Sequence, residues 1–412
     1  MTRRLRCRFC ETPLTHTFVN LGRTPLANSY LRSEAEMARE RSYPLHARVC
    51  SNCFLVQVED VVPAEEIFSD YAYFSSYSSS WVAHARRYAE KMTAELGLGS
   101  ASLVAEIASN DGYLLRHFVD KGIPVLGIEP AANVAKVAEE AGVRTDVAFF
   151  GINTAKRLAA SGPRADLIAA NNVMAHVPDI NDFIGGVPIL LAPEGVFTIE
   201  FPHLLNLIEK VQFDTIYHEH YSYLSLLTTE KILAAHGLRV FDVEELPTHG
   251  GSLRIYAAHK AATRHAESER LLALRAKEAA AGLHTLAAYE GFTPKVEHVR
   301  ARLLAFLQEA RAEGKTVAGY GAAAKGNTLL NYCGVVGDLI SFVVDRNPEK
   351  QNTYLPGSHI PVFAPEKIYR EKPDYVLILP WNLADEIILD MADINAWGGK
   401  FAIPIPELQI LS

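Results

Sequence analysis

The chain has 412 residues, of which 49% are hydrophobic and 21% are charged, and its formal net charge is −8. This size and composition are typical of a globular protein with two or three domains, and the acidic balance argues against binding to duplex nucleic acid. No apolar run approaches the length of a membrane span, and none follows the basic N-terminal residues, so the sequence predicts no membrane partner, no signal peptide and a cytoplasmic enzyme.

Two Cys-x-x-Cys pairs, Cys7 with Cys10 and Cys50 with Cys53, are separated by 39 residues. In a reducing compartment such pairs predict one tetrathiolate zinc site rather than disulfides, the alternative being four unmetallated thiols. Four thiolates leave no open position on a tetrahedral ion, so the zinc would be structural. Cys333 stands alone and is expected to be a small core residue.

Residues 1–70 are expected to form this zinc-binding module, with short strands near 47–49 and 55–58. The following segment, 71–80, is rich in tyrosine and serine and poor in charge. It is either a loop that binds a polar ligand or a connector to the helix predicted over 81–96.

From residue 71 to about 261 the sequence predicts an α/β domain. Short apolar runs alternate with amphipathic helices, a pattern that indicates a parallel sheet with right-handed crossovers. A β-hairpin is expected to close the domain, with the corner at 247–250. The predicted strands are 102–107, 124–128, 165–170 and 195–201, and those of the hairpin are 238–246 and 251–258.

Two acids mark the first ligand-binding edge of this domain. Glu106 precedes a turn whose glycine is Gly112, and Glu129 ends the second strand, where a carboxylate can hold both hydroxyls of a ribose. An acid at the turn repels a pyrophosphate and suits an ammonium, so the pair favours S-adenosylmethionine over NAD. The alternative is two acids in an ordinary α/β sheet.

The segment Tyr217–Tyr221 contains two imidazoles, a carboxylate and two phenols. We expect one imidazole to face a ligand as a base at neutral pH while Glu219 orients it. The alternative is a hydrogen-bonded polar loop. His218 and His220 are two residues apart, which excludes the helical His-Glu-x-x-His zinc motif.

The C-terminal region, 262–412, begins with long predicted helices up to about residue 313 and continues as a second α/β unit. Its glycine-rich turn, Gly319–Thr328, combines backbone donors, a helix N-terminus and Lys325, which together suit a pyrophosphate. The alternative is a degenerate dinucleotide fold retained for packing. Asp345 resembles an acid that binds the NAD ribose, so a nicotinamide is the competing ligand. The predicted strands are 315–319, 339–344 and 374–379.

Four motifs in this order carry a resemblance to a known family. The segment 104–112 looks like motif I of class I methyltransferases, with Ala108 where glycine is usual. With the paired cysteines, Tyr217–Tyr221 and the turn 319–325, the chain resembles the three-domain sugar C-methyltransferases, which methylate C-3′ of a nucleotide-linked 4-keto-deoxysugar. The resemblance implies an α/β protein with an N-terminal zinc-binding module, a class I methyltransferase Rossmann-like domain and a C-terminal Rossmann-like domain.

The resemblance also implies roles for individual residues. His220 would remove the C-3′ proton, held by Glu219, while Tyr217 contacts the sugar and His176 steadies the enolate oxygen; either Tyr71 or Tyr73 would enter the site. The implied S-adenosylmethionine site comprises Glu106, Ala108, Asn110, Glu129, Pro130, Phe149 and Asn171. The implied sugar-nucleotide site comprises Gly321, Ala324, Lys325, Asn327, His249 and Arg254, although a hairpin corner equally explains the glycines beside His249.

Two other functions remain open on the sequence alone. The pair of α/β units is compatible with an NAD-linked sugar-nucleotide oxidoreductase, and the cysteine pairs with a non-catalytic zinc-ribbon scaffold. The acid at Glu106 opposes the first, and the His-Glu-His cluster opposes the second.

Overall fold

The computed structural model describes residues 5–63 and 74–412. These residues form three sheets, one in the N-terminal region, one in the middle and one at the C-terminus. Within the same residues no helix is both long enough and apolar enough to cross a membrane.

Strands are numbered β1 to β18 along the chain. They are β1 (His16–Thr24), β2 (Tyr43–Val49), β3 (Val56–Gln57), β4 (Val104–Ile107), β5 (Val125–Ile128), β6 (Thr145–Asp146), β7 (Ala165–Asn171), β8 (Leu191–Pro202), β9 (Ser222–Tyr223), β10 (Leu238–Leu246), β11 (Ser252–His259), β12 (Val317–Tyr320), β13 (Val343–Val344), β14 (Thr353–Tyr354), β15 (Pro361–Phe363), β16 (Tyr375–Ile378), β17 (Lys400–Ile403) and β18 (Gln409–Leu411).

Helices of the described residues are numbered in the same way. They are α1 (Glu34–Met37), α2 (Ser79–Leu96), α3 (Arg116–Val119), α4 (Ala132–Glu140), α5 (Ile152–Ser161), α6 (Ile180–Leu190), α7 (Leu204–Glu209), α8 (Leu226–Ala235), α9 (Glu269–Ala280), α10 (Ala287–Glu290), α11 (Phe292–Ala312), α12 (Ala324–Cys333), α13 (Glu366–Glu371) and α14 (Ala384–Asp390).

The N-terminal sheet has the order β1-β2-β3-β9 and is antiparallel. Its last strand does not come from the zinc-binding region, because β9 follows directly after the His-Glu-His segment. Val56 pairs with Tyr223 and Gln57 with Ser222. The N-terminal sheet is therefore completed by the middle of the chain.

The middle sheet has the order β10-β11-β8-β7-β4-β5-β6. The strands from β8 to β6 run parallel, as predicted, and the hairpin β10–β11 adds an antiparallel edge. The predicted positions of β4, β5 and β7 are confirmed to within two residues, while β8 is longer than predicted and spans twelve residues. The carboxyl ends of the parallel strands therefore form one edge, where the predicted acids lie.

The C-terminal sheet has the order β14-β15-β13-β12-β16-β17-β18, with a parallel centre and antiparallel outer strands. The long helical region predicted before it is interrupted at Gly282, whose φ of +78° is a left-handed conformation that glycine adopts without strain. The last helix of that region, α11, buries Val296, Val299, Leu303 and Leu307, which recur every three or four residues along one face.

The N-terminal and C-terminal regions share one hydrophobic core. Phe18 of β1 stacks on Phe292 of α11 with ring centroids 4.4 Å apart, and both belong to the cluster that also contains Val317 and Ile340. The two ends of the chain are therefore packed against each other, which determines what can reach the C-terminal sheet.

Candidate active site

A cavity of about 1390 Å³ lies where the three regions meet. Its lining includes Asn28 from the N-terminal region, Asn110 and His220 from the middle, and Lys325 from the C-terminal region. The carboxyl edge of the middle sheet forms one side. Ligands of parallel α/β sheets bind at this edge, so the cavity is the candidate active site.

The turn after β4 has an unusual backbone. Ala108 has a φ of 58° and Asn110 a φ of 48°, both in the left-handed region. Ala108 therefore keeps the conformation that glycine would supply, at a cost of roughly 1–2 kcal/mol. Glu129 accepts hydrogen bonds from the backbone amides of Asn110 and Ala131, each at 2.9 Å, and so fixes the turn against the end of β5.

The residues that the sequence assigns to S-adenosylmethionine gather at this edge. Glu106 lies beneath the edge and is fully buried, and in the described residues neither of its oxygens has a hydrogen-bond partner of ordinary geometry. Burial raises the pKa of Glu106 well above its usual range, and Tyr113 opposes the shift only in part. An ammonium group near this carboxyl would relieve that cost, so the residues fit the predicted cofactor. The others line the cavity directly: Ala108, Asn110, Glu129, Pro130, Phe149 and Asn171.

His220 lies at the end of a tight turn that begins at Tyr217, whose carbonyl accepts from the His220 amide at 3.0 Å. Nδ1 of His220 is 3.0 Å from the Thr215 carbonyl oxygen, and a carbonyl only accepts, so Nδ1 carries the proton. Nε2 is then an acceptor, and the Tyr217 hydroxyl donates to it at 2.8 Å. The imidazole is therefore held as a neutral base.

The partner of His220 differs from the one expected. Glu219 accepts a hydrogen bond from the Asn28 side chain, not from His220. His218 points the other way and hydrogen-bonds to the Pro44 carbonyl at 3.2 Å. The expected separation of the two imidazoles is present, but Thr215 and Tyr217 orient the base where the sequence suggested Glu219.

His176 follows β7 and lies beside the base, with the two imidazole centroids 4.6 Å apart. Its Nδ1 is 2.8 Å from the Glu219 carbonyl oxygen, so Nδ1 carries the proton here too. Burial lowers the pKa of His176 to about 4, which keeps the ring neutral at pH 7. The predicted donation from His176 to an enolate oxygen would require a proton on Nε2, and this tautomer has none there.

Lys325 lines the cavity from the C-terminal region. Its Nζ donates to Asn382 Oδ1 at 2.6 Å and lies 4.8 Å from the Trp381 ring centroid. Trp381 in turn donates its indole N–H to Asp214 at 2.7 Å, one residue before the carbonyl that holds His220. The C-terminal region therefore supports the turn that carries the base.

The other residues assigned to the sugar nucleotide are distributed differently. His249 lines the cavity with a φ of 54°, and Gly321 has a φ of 89° at the turn after β12. Asn327 donates to the Ala27 carbonyl at 2.6 Å and is buried. Ala324 is the first residue of α12. Of this group Lys325, His249 and Arg254 line the cavity.

The edge of the C-terminal sheet is covered by the N-terminal region. Asp345 accepts from the Ala322 amide at 2.7 Å and from the Asn347 amide at 2.8 Å. Above it the Tyr30 hydroxyl and Lys350 both donate to the Ala322 carbonyl. The position where the sequence allowed an NAD ribose is therefore occupied by the chain itself.

A buried ion-pair network includes Arg254. Its guanidinium lies 2.6 Å from Glu200 and 3.3 Å from Glu244, and His84 lies 3.1 Å from Glu200. Arg254 is thus neutralised inside the protein, and a role in binding substrate stays a prediction. No local sequence pattern points to His84 and Glu200, because they lie 170 and 54 residues from Arg254.

Tyr71 and Tyr73 lie outside the described residues. The segment that follows them is fixed to the turn after β4. The Ser75 amide donates to Asn110 Oδ1 at 2.9 Å, and the Ser76 amide donates to Asp111 at 3.0 Å. The serine-rich segment therefore adjoins the predicted cofactor site.

The four cysteines of the two Cys-x-x-Cys pairs converge as predicted. Their sulfur atoms all lie within 4.8 Å of one another, and Gln57 donates to Cys7 at 3.2 Å. Four sulfurs at this spacing fit a tetrahedral zinc ion, and an amide donor to a thiolate is a usual outer contact of such a site. Cys333 is buried in the core, as expected.

Three family models match the chain in order. A zinc-binding domain matches residues 7–68, a methyltransferase domain matches residues 81–243, and a C-methyltransferase C-terminal domain matches residues 247–406.

Among curated proteins, the C-methyltransferase NovU of Streptomyces niveus is 38% identical over 98% of this chain and 96% of its own length. A ubiquinone biosynthesis O-methyltransferase of Azorhizobium caulinodans is 30% identical over 23% of this chain and 38% of its own length. Among solved structures, the magnesium protoporphyrin IX methyltransferase of Synechocystis has a TM-score of 0.35 at 15% identity and covers 43% of this chain and 83% of its own. The YcgJ protein of Bacillus has a TM-score of 0.35 at 14% identity and covers 43% and 99%.

Proposed function

Since the chain belongs to the C-methyltransferase family, we propose that its acceptor is a nucleotide-linked 4-keto-deoxysugar and that the methyl group is added at C-3′. The enzyme uses S-adenosylmethionine, which supplies an electrophilic methyl group on a sulfonium. One observation carries the proposal: the unprotonated Nε2 of His220 lies in the cavity formed at the carboxyl edge of the middle sheet. A carbon acceptor needs a base to remove its proton, whereas an oxygen or nitrogen acceptor brings its own lone pair.

In the proposed reaction the 4-keto group acidifies the proton on C-3′. Nε2 of His220 takes that proton, the C–H electron pair becomes a C-3′–C-4′ double bond, and the C-4′ oxygen gains the negative charge. C-3′ then attacks the methyl carbon, and the electron pair of the carbon–sulfur bond stays on sulfur. The ketone is restored with one new carbon–carbon bond, and His220 returns its proton to solvent.

The electrostatics of the site support a neutral base. Burial, followed by the neighbouring His176, holds the pKa of His220 well below its ordinary value. The imidazole can therefore accept a proton throughout the neutral pH range. Tyr217, which donates to Nε2 in the structure, would turn to the sugar when substrate binds.

We assign the substrate pyrophosphate to Lys325, which lines the cavity from the C-terminal region. Its ammonium is buried beside Trp381, where a phosphate oxygen would compensate it. Lys325→Ala should raise the KM for the sugar nucleotide and leave cofactor affinity unchanged. A crystal structure with a nucleoside diphosphate bound far from Lys325 would contradict the assignment.

The proposal is tested by incubating the enzyme with S-adenosylmethionine and a panel of keto-sugar nucleotides, and following a mass gain of one CH₂ group. His220→Asn should lower turnover by roughly 10²–10⁴-fold while both ligands still bind, because a general base contributes about this much. Exchange of the C-3′ proton in D₂O, with a non-reactive cofactor analogue bound, measures the proton step alone.

His218→Asn is the matched control, because His218 is two residues away and contacts Pro44 instead of lining the cavity. It should retain turnover and C-3′ exchange. Undiminished exchange in His220→Asn would remove His220 as the base. Methylation on oxygen or nitrogen throughout the panel would reject the substrate class.

A further inference from the structure

An enolate formed next to His220 needs a hydrogen-bond donor at the C-4′ oxygen, and neither imidazole of the site supplies one. Both His220 and His176 carry their proton on Nδ1, where a backbone carbonyl accepts it. Their Nε2 atoms are acceptors, and the Tyr217 hydroxyl donates to one of them. Another side chain of the cavity with an unused N–H donor can fill this place.

Asn172 is the residue that meets this need. It follows β7 directly and lines the cavity. Its Oδ1 and Nδ2 atoms are both buried, and neither has a hydrogen-bond partner among residues 5–63 and 74–412. A buried amide without a partner is costly, and its presence at a cavity wall indicates that a ligand completes its hydrogen bonds.

The backbone of Asn172 indicates the same. Its φ is 52°, a left-handed conformation that is strained for a residue with a side chain. Its amide N–H donates to the Glu200 carbonyl at 2.7 Å, which fixes the residue against β8. A strained backbone held in place next to an unpaired side chain is typical of a functional position.

We propose that Asn172 is a catalytic residue whose Nδ2 donates a hydrogen bond to the C-4′ oxygen of the keto sugar. The bond strengthens as the oxygen gains charge, when Nε2 of His220 removes the C-3′ proton. The charge leaves the oxygen again when C-3′ takes the methyl group. This inference rests on the proposed carbon acceptor and adds the group that stabilises the enolate.

The test uses Asn172→Gly, which removes the amide and accepts the left-handed backbone, so the variant should fold at least as well as the wild type. We expect kcat to fall by roughly 10²–10³-fold, as for the loss of one oxyanion donor, with a smaller change in KM. Exchange of the C-3′ proton in D₂O should fall in parallel. Asn172→Asp keeps the shape but not the donor and should lose at least as much.

Asn352→Gly is the matched control, because Asn352 also has a left-handed φ of 62° and lies outside the cavity. It should retain wild-type kcat and exchange. Wild-type kcat in Asn172→Gly, with the wild type active on a keto sugar, would overturn the role of Asn172 alone. A wild type that neither methylates keto sugars nor exchanges C-3′ would instead reject the proposed function.

Discussion

The middle and C-terminal sheets have the same arrangement at their carboxyl edges but differ in what covers them. In each sheet an acid ends the second strand of the unit and accepts two backbone amides, one from the preceding turn and one from two residues further along. Glu129 accepts from Asn110 and Ala131, and Asp345 accepts from Ala322 and Asn347. Glu129 faces the cavity, whereas Asp345 lies beneath Tyr30 and Lys350 of the same protein.

A strand, a tight turn and an acid therefore do not by themselves make a ligand site. The same local geometry faces an open cavity in one sheet and contacts a segment of the protein in the other. The covering segment, residues 27–31, is anchored at two points. The Asn327 side chain donates to the Ala27 carbonyl, and Leu31 pairs with Tyr354. A nicotinamide site at Asp345 loses its support for this reason.

Removing zinc should have the largest effect, because it should open the covered edge as well as the metal site. Elemental analysis should find about one zinc per chain, and binding of such ions contributes on the order of 10 kcal/mol in small zinc domains. After chelation, amide hydrogen exchange should rise in β9 and in Gly321–Asn327, while Asn110–Glu129 stays protected. Turnover should be lost, since β9 adjoins the turn with His220.

Cys333→Ala serves as the control for zinc removal, because Cys333 is buried away from the four sulfurs, and it should keep the metal. A chelated enzyme with full turnover would mean that the N-terminal sheet does not support the base.

The two acids themselves give the next largest effect. Glu129→Ala should weaken S-adenosylmethionine binding by roughly 10- to 100-fold, because charge-assisted hydrogen bonds contribute about 1.5–3 kcal/mol. Asp345→Ala loses the same two backbone contacts and should lower thermal stability without changing cofactor affinity. Titration calorimetry of both variants measures cofactor affinity, and thermal unfolding measures stability. Equal losses of cofactor affinity in Glu129→Ala and Asp345→Ala would contradict the difference between the two sheets.

The burial of Glu219 in the catalytic turn should make stability depend on pH. Burial raises the pKa of Glu219 to about 7, opposed in part by its hydrogen bond from Asn28. The unfolded chain ionises this group at lower pH, so the folded state loses stability as pH rises from about 4.5 to about 7, by at most about 3.4 kcal/mol.

Glu219→Gln should remove this loss, and urea unfolding at about pH 5 and about pH 7.5 measures it. Glu371→Gln changes an exposed carboxylate and is the control. A wild type and Glu219→Gln with parallel pH profiles would show that the carboxyl is not held in a desolvated site.

Tyr30→Phe should have the smallest effect. It removes the hydroxyl that donates to the Ala322 carbonyl and should lower the free energy of unfolding by about 1 kcal/mol. Cofactor affinity should not change. Tyr77→Phe alters a ring that is 81% exposed and should leave stability unchanged. A loss of cofactor binding in Tyr30→Phe would indicate that the two edges are coupled.

Local patterns were sufficient to predict the central strands of the middle sheet and the zinc ligands, but the strand predicted over 339–344 is only Val343–Val344. The cysteine spacing defined the four ligands, and the short apolar runs located β4, β5, β7 and β16 to within two residues, because both signals lie within a few positions of the chain. The helix predicted over 81–96 is confirmed as Ser79–Leu96, with Ser78 as its N-cap.

The contacts that complete the site could not be predicted, because they join distant parts of the chain. The hydrogen bond from Asn327 to Ala27 spans 300 residues, and that from Asn28 to Glu219 spans 191. The turn geometry that places Thr215 rather than Glu219 on His220 depends on this packing. Asn172 is adjacent to Asn171, which the sequence did assign to the site. Only the folded cavity shows that the Asn172 side-chain amide lacks a hydrogen-bond partner in the described residues.

Hybrid enzymes assembled from related chains would meet a mismatch at β9. A junction after residue 70 separates the zinc-binding region from Ser222 and Tyr223, which complete its sheet by pairing with Gln57 and Val56. A transplanted zinc-binding region would have to match a foreign strand edge that continues directly into the turn carrying the base. The zinc-binding region and β9 should therefore be exchanged together, although they are encoded in separate parts of the gene.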